Sequence, residues 1–265
     1  MAQLPSLSAE EVAVFRARGV LPLPGLFTDW VDILREGVEE NLRSPGPFCT
    51  DSVSDGEGRF FDDYCNWERI PGYKKFALES PCAAIAAQAM QSRARLFHEH
   101  LVMKSAGTAQ ATPWHHDISY YCVQGQKTAS IWIALDQIPS QNAVKFVAGS
   151  HANGTTYFPR KFLDGRDYDY PSADYASVPD IDARSDEFEI LSWATQPGDA
   201  VLFHFNTLHA TSAAPLEGPR RAIAWRWLGE DVRFHKRPGV TSPPYPDLAL
   251  NTGDALPEAV FPFLG

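Results

Sequence analysis

The chain has 265 residues, 44% of them hydrophobic, and its 16 Phe, 9 Tyr and 7 Trp supply enough apolar volume for one large core. A formal net charge of −10 argues against nucleic acid or an anionic membrane surface as the main partner. The four cysteines, Cys49, Cys65, Cys82 and Cys122, form no CxxC pair, so neither a disulfide framework nor a zinc knuckle is expected, and reduced thiols suit a cytoplasmic setting.

The opening MAQLPSLSAEEVAVFRARG carries Glu10 and Glu11 where a secretory leader has a basic start and an apolar core. No leader is expected, and no apolar run is long enough to span a bilayer. Ser8 followed by Glu11 is a capping-box pattern, Val12 and Phe15 keep helical spacing, and Gly19 suits the stop. VLPL then reads as a short strand, Thr28–Leu42 as an amphipathic helix, and Ser80–Ser92 as a helix with Pro81 in its first turn. Residues 43–75, rich in Gly, Pro and Asp, read as loop. The helical part thus spans about 8–92.

From about residue 95 the texture changes. RLFHEHLVMK, TASIWIALD, NAVKFVAGS, DAVLFHF and RAIAWRWLG are short runs rich in β-branched and aromatic residues, separated by Gly, Pro, Asn and Asp. They predict a mainly β fold over about 95–230, a sandwich or jelly roll with helices packed outside, in a single domain of residues 1–265. Residues 164–189 break the strand pattern with nine acidic residues against Arg166 and Arg184. A loop of this length is a lid or a solvated surface loop, and its carboxylates beside Tyr168, Tyr170, Tyr175 and Phe188 would suit a cationic group if it covers a site. The Pro-rich tail 238–265 is expected to wrap the domain in extended form.

The chemistry concentrates in TPWHHDISYY, residues 112–121. If 114–118 is a strand, His115 and Asp117 point one way and His116 the other. A His-x-carboxylate pair on one face offers two ligands to one ion. GDAVLFHFNTLHATS supplies the best third ligand, His209, which follows a strand and a turn, whereas His204 lies five residues short and is expected to pack. Two histidines and one carboxylate form the facial triad of non-haem Fe(II) oxygenases, which leaves positions open for other ligands. His-x-Asp alone also arises by chance. Two features favour the metal: His209 itself, and Arg220 eleven residues later at the start of a strand, where an arginine can grip the remote carboxylate of a dicarboxylate.

On these residues the sequence resembles the phytanoyl-CoA dioxygenase family of Fe(II)/2-oxoglutarate-dependent oxygenases. HLVMK, TPWHHD, IWIALD, KFVAGSH, the GDAVLFH run ending in His209, and RRAI carry the resemblance over roughly Leu101–Leu228, and LSAEEVAVFRARGVLPLPGLF is similar to the family's start. The resemblance implies a double-stranded β-helix of the cupin-like jelly-roll type. It implies His115, Asp117 and His209 as iron ligands and Arg220 on the 5-carboxylate of 2-oxoglutarate. Trp132, His100, Lys104 and Thr211 would line the cosubstrate, and His116, His98, Tyr120 and Tyr121 the substrate. It further implies decarboxylation of 2-oxoglutarate to succinate and CO₂ with O₂ as oxidant. Related halogenases replace the carboxylate by Gly or Ala, so Asp117 points to hydroxylation. The chain departs from the family pattern at His116, where Gln is more usual, at Ala143 and Ala210, where Gly is common, and at Ala148, where many relatives have Pro.

Other readings stay open at this level. Lys104 either faces the interior with His98 and His100, by period two, or ends its strand in solvent. His151 is expected to fix a loop, and His235 to lie at the surface. Of Tyr120 and Tyr121, one belongs to the core and one to a pocket wall. A metal-binding β-sandwich without oxygenase activity would have no use for Arg220. A zinc hydrolase with the same triad ranks lower, for there is no HExxH and no evident general base. The expected partner is a small molecule; a CoA thioester would need a basic cluster for its phosphates, and none is evident. The pattern does not distinguish a monomer from a dimer.

Overall fold

A computed structural model of the chain describes residues 5–54, 58–108, 111–162, 165–170 and 173–265. Helix α1 (Ala9–Arg18) begins at the expected capping box: Ser8 Oγ accepts from the Glu11 amide at 3.2 Å, and the Glu11 carboxylate accepts from the Ser8 amide at 2.7 Å. Gly19 ends it at φ 71°, where a Cβ would collide with the His151 ring. The chain then enters β1 (Val20–Leu23), and a 3₁₀ turn at Thr28–Trp30 leads into α2 (Val31–Arg43).

The expectation of loop across 43–75 is corrected. Strands β2 (Thr50–Ser54) and β3 (Gly58–Tyr64) form a hairpin at the sheet edge, and α3 (Pro71–Glu79) follows. Three of the aspartates that suggested a loop are partnered, Asp51 by Arg59. Asp63 is fully buried, accepting from Asn41 Nδ2 at 2.6 Å and from the Gly46 amide at 2.7 Å, and Asp62 faces His100. Buried polar groups are tolerated where such partners exist. Helix α4 (Cys82–Met90) is shorter at both ends than Ser80–Ser92.

Two antiparallel sheets make the jelly roll. The remaining strands are β4 (Arg95–Lys104), β5 (Thr112–His115), β6 (Val123–Gln124), β7 (Thr128–Ala134), β8 (Val144–Val147), β9 (Ile190–Ser192), β10 (Ala200–Phe203), β11 (His209–Thr211), β12 (Arg220–Leu228) and β13 (Arg233–Phe234). The seven-stranded sheet runs β1-β10-β7-β12-β4-β3-β2, and the four-stranded sheet runs β5-β11-β8-β9. On the large sheet the period of two separates two environments. Ile223, Trp225 and Trp227 of β12, with Ile131 and Ile133 of β7, pack against Leu34, Val38, Phe76 and Ile85 of the helices. Arg220, Ala222, Ala224 and Arg226 face the small sheet, so the largest apolar core lies between the large sheet and the helices, while the barrel interior combines polar residues with a smaller apolar cluster of Val20, Phe146, Val201 and Phe203.

The tail from 238 has no long strand. It holds Tyr245, Leu248, Leu250, Leu256 and Phe261 against Phe97, Tyr121 and Val123. All four cysteines are free. Among the described residues no helix is long and apolar enough to cross a membrane.

Trp225 is fully buried, with its ring 4.8 Å from Phe76 and edge-on to Tyr73. Replacing it by Ala should cost about 3–5 kcal/mol through lost burial and a residual cavity, read as a lowered midpoint in urea unfolding at unchanged slope.

Candidate metal centre

Strands β5 and β11 pair so that His115 lies opposite His209, with ring centroids 4.2 Å apart. The Nδ1 of His115 lies 2.8 Å from the Pro113 carbonyl, and that of His209 lies 2.9 Å from the Thr207 carbonyl. A carbonyl can only accept, so each Nδ1 carries the proton and each Nε2 offers its lone pair inward. Asp117 Oδ1 is 3.7 Å from both Nε2 atoms. One ligand atom from each of the three buried residues lies within 4.8 Å of the others, a spacing that suits a single metal ion.

Asp117 reaches this point by a route that the alternation argument did not foresee. Strand β5 ends at His115, and Asp117 has helical backbone angles at the start of a 3₁₀ turn, Ile118–Tyr120. Its amide donates to the Phe205 carbonyl at 2.8 Å. The turn is pinned from the tail by Arg237, whose guanidinium donates to the carbonyls of Ile118, Tyr121 and Val123. The chain turns, and the turn aims both side chains at one place.

The electrostatics fit a cation site. Burial opposes the Asp117 charge, but Arg226 and the two histidines hold its carboxyl well below the usual carboxylate range. Burial, aided by His115, lowers His209 to about 3, so that imidazole is neutral and able to coordinate. Arg226 Nη2 lies 3.2 Å from Asp117 Oδ2. Arg226 was missed in the sequence, although it stands six residues beyond Arg220 and so on the same face of one strand.

Farther along the interior, Arg220 lies opposite Lys104. With Thr108, Asn142, Thr211 and Ser212 they line a small cleft. Arg220 is 5% exposed, and its Nε and Nη2 have no hydrogen-bond partner. Its guanidinium lies 5.5 Å from the Trp132 ring, and burial lowers it to about 10. Lys104 is also buried, which settles its two readings: it faces the interior, where desolvation and then Arg220 lower it to about 8. Arg221 points the other way and pairs with Asp136 at 2.8 Å. His100 faces inward between the two arginines, with Nε2 3.2 Å from Asp62 Oδ2.

Three of the four expected substrate contacts are corrected. His116 is turned away from the triad and buried against Tyr157, its Nε2 3.1 Å from the Tyr157 amide and 2.5 Å from Ser119 Oγ. These contacts tie it to the chain after β8. His98, 2% exposed, is wedged among Phe97, Tyr121 and Tyr64. Tyr121 is a core residue whose hydroxyl accepts from Arg226 Nε. Tyr120 differs. Its ring stands 5.8 Å from His115 and beside Phe162 and Tyr168, while its hydroxyl is bonded to the Arg160 backbone. Phe162, which the sequence reading passed over, is 40% exposed and lies 4.9 Å from the His115 ring.

In the acidic segment 164–189, residues 164, 171 and 172 lie outside the described residues. Several carboxylates of the segment already have partners: Asp167 with Arg160, Glu187 with Arg184, Glu189 with Arg18, and Asp180 with the Ala183 amide. They are therefore poorly placed to recognise a cationic substrate. Ile181 packs against Trp114, Leu208 and Ala210 on the outer face of the small sheet. His204 packs, as expected, on the Gln126 carbonyl, and His151 fixes the loop by the Arg16 carbonyl. His235 is half-buried.

The family model for phytanoyl-CoA dioxygenase (PhyH) matches residues 15–222. No curated protein matches the chain. Among solved structures, the fold is similar to that of the non-heme alpha ketoglutarate dependent carbocyclase SnoK from nogalamycin biosynthesis, with TM-score 0.75 and 20% identity over 98% of this chain and 97% of that one. It is also similar to EctD from S. alaskensis with 2-oxoglutarate and 5-hydroxyectoine, with TM-score 0.69 and 19% identity over 97% and 87%. The epimerase SnoN in complex with Fe3+, alpha ketoglutarate and nogalamycin RO gives TM-score 0.69 and 19% identity over 95% and 96%. At these identities the similarity is one of fold.

Burial lowers His116 to about 3 in the folded chain, against about 6.5 when unfolded. The unfolded state therefore binds one more proton between these values, and stability should fall as pH drops through that window. The apo-protein variant His116→Gln should show a shallower loss of melting temperature between about pH 6.5 and 4, measured by differential scanning calorimetry.

Proposed function

The chain belongs to the phytanoyl-CoA dioxygenase family, and on that premise we propose that it is an Fe(II)- and 2-oxoglutarate-dependent oxygenase that hydroxylates a small organic substrate. We take residues 1–265 as one such domain, working in a reducing, cytoplasmic setting that suits its four free thiols. His115, Asp117 and His209 would hold the iron, and Arg220 would grip the 5-carboxylate of 2-oxoglutarate.

The observation that carries this reading is the buried Arg220 guanidinium with Nε and Nη2 unpartnered. A buried cation without hydrogen-bonding partners is costly. A carboxylate seated in the adjoining cleft would satisfy it as a bidentate pair. Lys104 adds a second positive charge, Thr211 a hydroxyl, and Trp132 a wall. A 2-oxo dicarboxylate held at this end would direct its other end toward the triad. Iron bound there would supply O₂ activation coupled to decarboxylation of the cosubstrate. The chain's own contribution is to position the reactants and exclude water.

Phe162, Tyr120 and Tyr168 cluster beside His115. We place the substrate against them, with Tyr168 as part of its cover. With the Tyr120 hydroxyl tied to backbone and Asp167 paired to Arg160, this wall offers an apolar face rather than a charged one. The carbocyclase and epimerase among the structural neighbours show that the fold also hosts outcomes other than oxygen insertion. Asp117, which occupies the carboxylate position, favours hydroxylation over halogenation.

The test is succinate release from 2-oxoglutarate with Fe(II), followed by mass analysis of products from a metabolite library. A gain of one oxygen is the expected outcome; loss of two hydrogens or an unchanged mass would point to cyclisation or epimerisation. Arg220→Ala should raise the cosubstrate Michaelis constant at least about 30-fold, the equivalent of losing roughly 2 kcal/mol or more from a buried charge pair. Arg221→Ala should leave it nearly unchanged.

Desolvation and then Arg220 lower Lys104 to about 8. Its positive charge is present below that value and lost above it. The cosubstrate Michaelis constant should therefore rise as pH increases beyond about 8, and Lys104→Met should flatten that rise in steady-state assays.

A further inference from the structure

We propose that Arg226 is a positioning residue for the metal centre, one that engages Oδ2 of Asp117 so that the carboxylate presents Oδ1 alone to an ion. The inference rests on the reading of His115, Asp117 and His209 as a metal site. The two oxygens of Asp117 have different surroundings. Oδ1 is equidistant, at 3.7 Å, from the inward nitrogens of His115 and His209. Oδ2 lies 3.2 Å from Arg226 Nη2. A carboxylate free to rotate could offer both oxygens to one ion and use up a further coordination position. A guanidinium on one of them removes that choice.

The arginine is itself held in place. Its Nε donates to the Tyr121 hydroxyl, and the Tyr121 ring is clamped edge-on between Phe97 and Phe205, 5.2 Å from each. Along β12 it is flanked by Ser130 of β7 and His98 of β4, and a register irregularity follows it in the pairing with β4. Arg226 is 6% exposed, and its Nη1 has no partner. An apolar side chain would fill such a position at lower desolvation cost, which is the reason to look for a role in what the guanidinium touches. The planar guanidinium fork spans from the Tyr121 hydroxyl, to which Nε donates, to Asp117 Oδ2, which Nη2 meets as an ion pair without a hydrogen bond. A lysine ammonium would return the charge without the fork.

A role confined to neutralising the buried carboxylate makes a different prediction. Charge alone would be restored by Arg226→Lys, whereas positioning would not. The experiment uses full-length apo-protein titrated with Co(II), followed by calorimetry and by visible absorption, which reports coordination number and symmetry. Folding of each variant is checked by circular dichroism and melting temperature. The wild type should bind one Co(II) ion. Arg226→Lys should remain folded, bind Co(II) about 10–100-fold more weakly and show an altered absorption envelope, the scale of effect expected for groups that orient metal ligands. Tyr121→Phe, which keeps the charge and removes the anchor, should shift affinity in the same direction by less, and it gives the answer even if Arg226→Lys does not fold. Wild-type affinity and an unchanged spectrum in the folded variants would overturn the positioning role while leaving the metal site intact. Absence of Co(II) binding by the wild type would overturn the metal-site reading and this inference with it.

Discussion

A carboxylate buried between two imidazoles is costly unless something opposes its charge. Here the opposing group is Arg226, at 3.2 Å from Asp117 and itself nearly inaccessible. The rest of the interior is arranged around this pair. Tyr121 anchors the arginine, Phe97 and Phe205 clamp the tyrosine, and Arg237 pins the turn that carries Asp117. With the Nδ1 of each directed at a backbone carbonyl, His115 and His209 keep their Nε2 atoms directed inward. The three candidate ligand atoms are thus already brought within 4.8 Å of one another by the fold.

The second cationic region has the opposite character. Arg226 has its anion within the chain, whereas Arg220 lacks hydrogen-bond partners for two of its nitrogens in an equally buried place. Both project from the same face of β12, six residues apart. That strand carries one arginine for a carboxylate of the protein and one suited to a carboxylate from outside. On its other face the strand carries Ile223, Trp225 and Trp227 into the helical layer. A single strand therefore couples the apolar core to the proposed chemistry. Substitutions in that core are expected to be felt inside the barrel through small displacements of the arginines, because close-packed interiors transmit strain.

Much of this was legible from residue order. The capping box, the change from helical to alternating pattern near residue 95, His209 after its strand, and the opposite facing of Arg220 and Arg221 all depend on local backbone geometry, which short-range sequence periodicity encodes; the His-x-Asp pair was legible as residue types, but a turn and not a strand brings Asp117 beside His115. The edge hairpin at 50–64 was not legible. Its aspartates are strand residues only because Asn41, Gly46 and His100 reach them from distant parts of the chain.

The same limit applies to His98 and His116. A period of two turned His98 toward the interior and His116 away from His115 and Asp117, but it does not determine which rings then enclose them. The turn after His115 sent His116 toward Tyr157, and Phe97 and Tyr121 enclosed His98. The partners of the carboxylates in 164–189 were likewise hidden. By itself the sequence determined the ligand types, their order and the strand that carries the arginines, because these follow from residue chemistry and a period of two. Only the tertiary structure decided which arginine meets Asp117, which one keeps unpartnered nitrogens, and which rings line the mouth, because each depends on side chains brought together from strands and loops far apart in the chain.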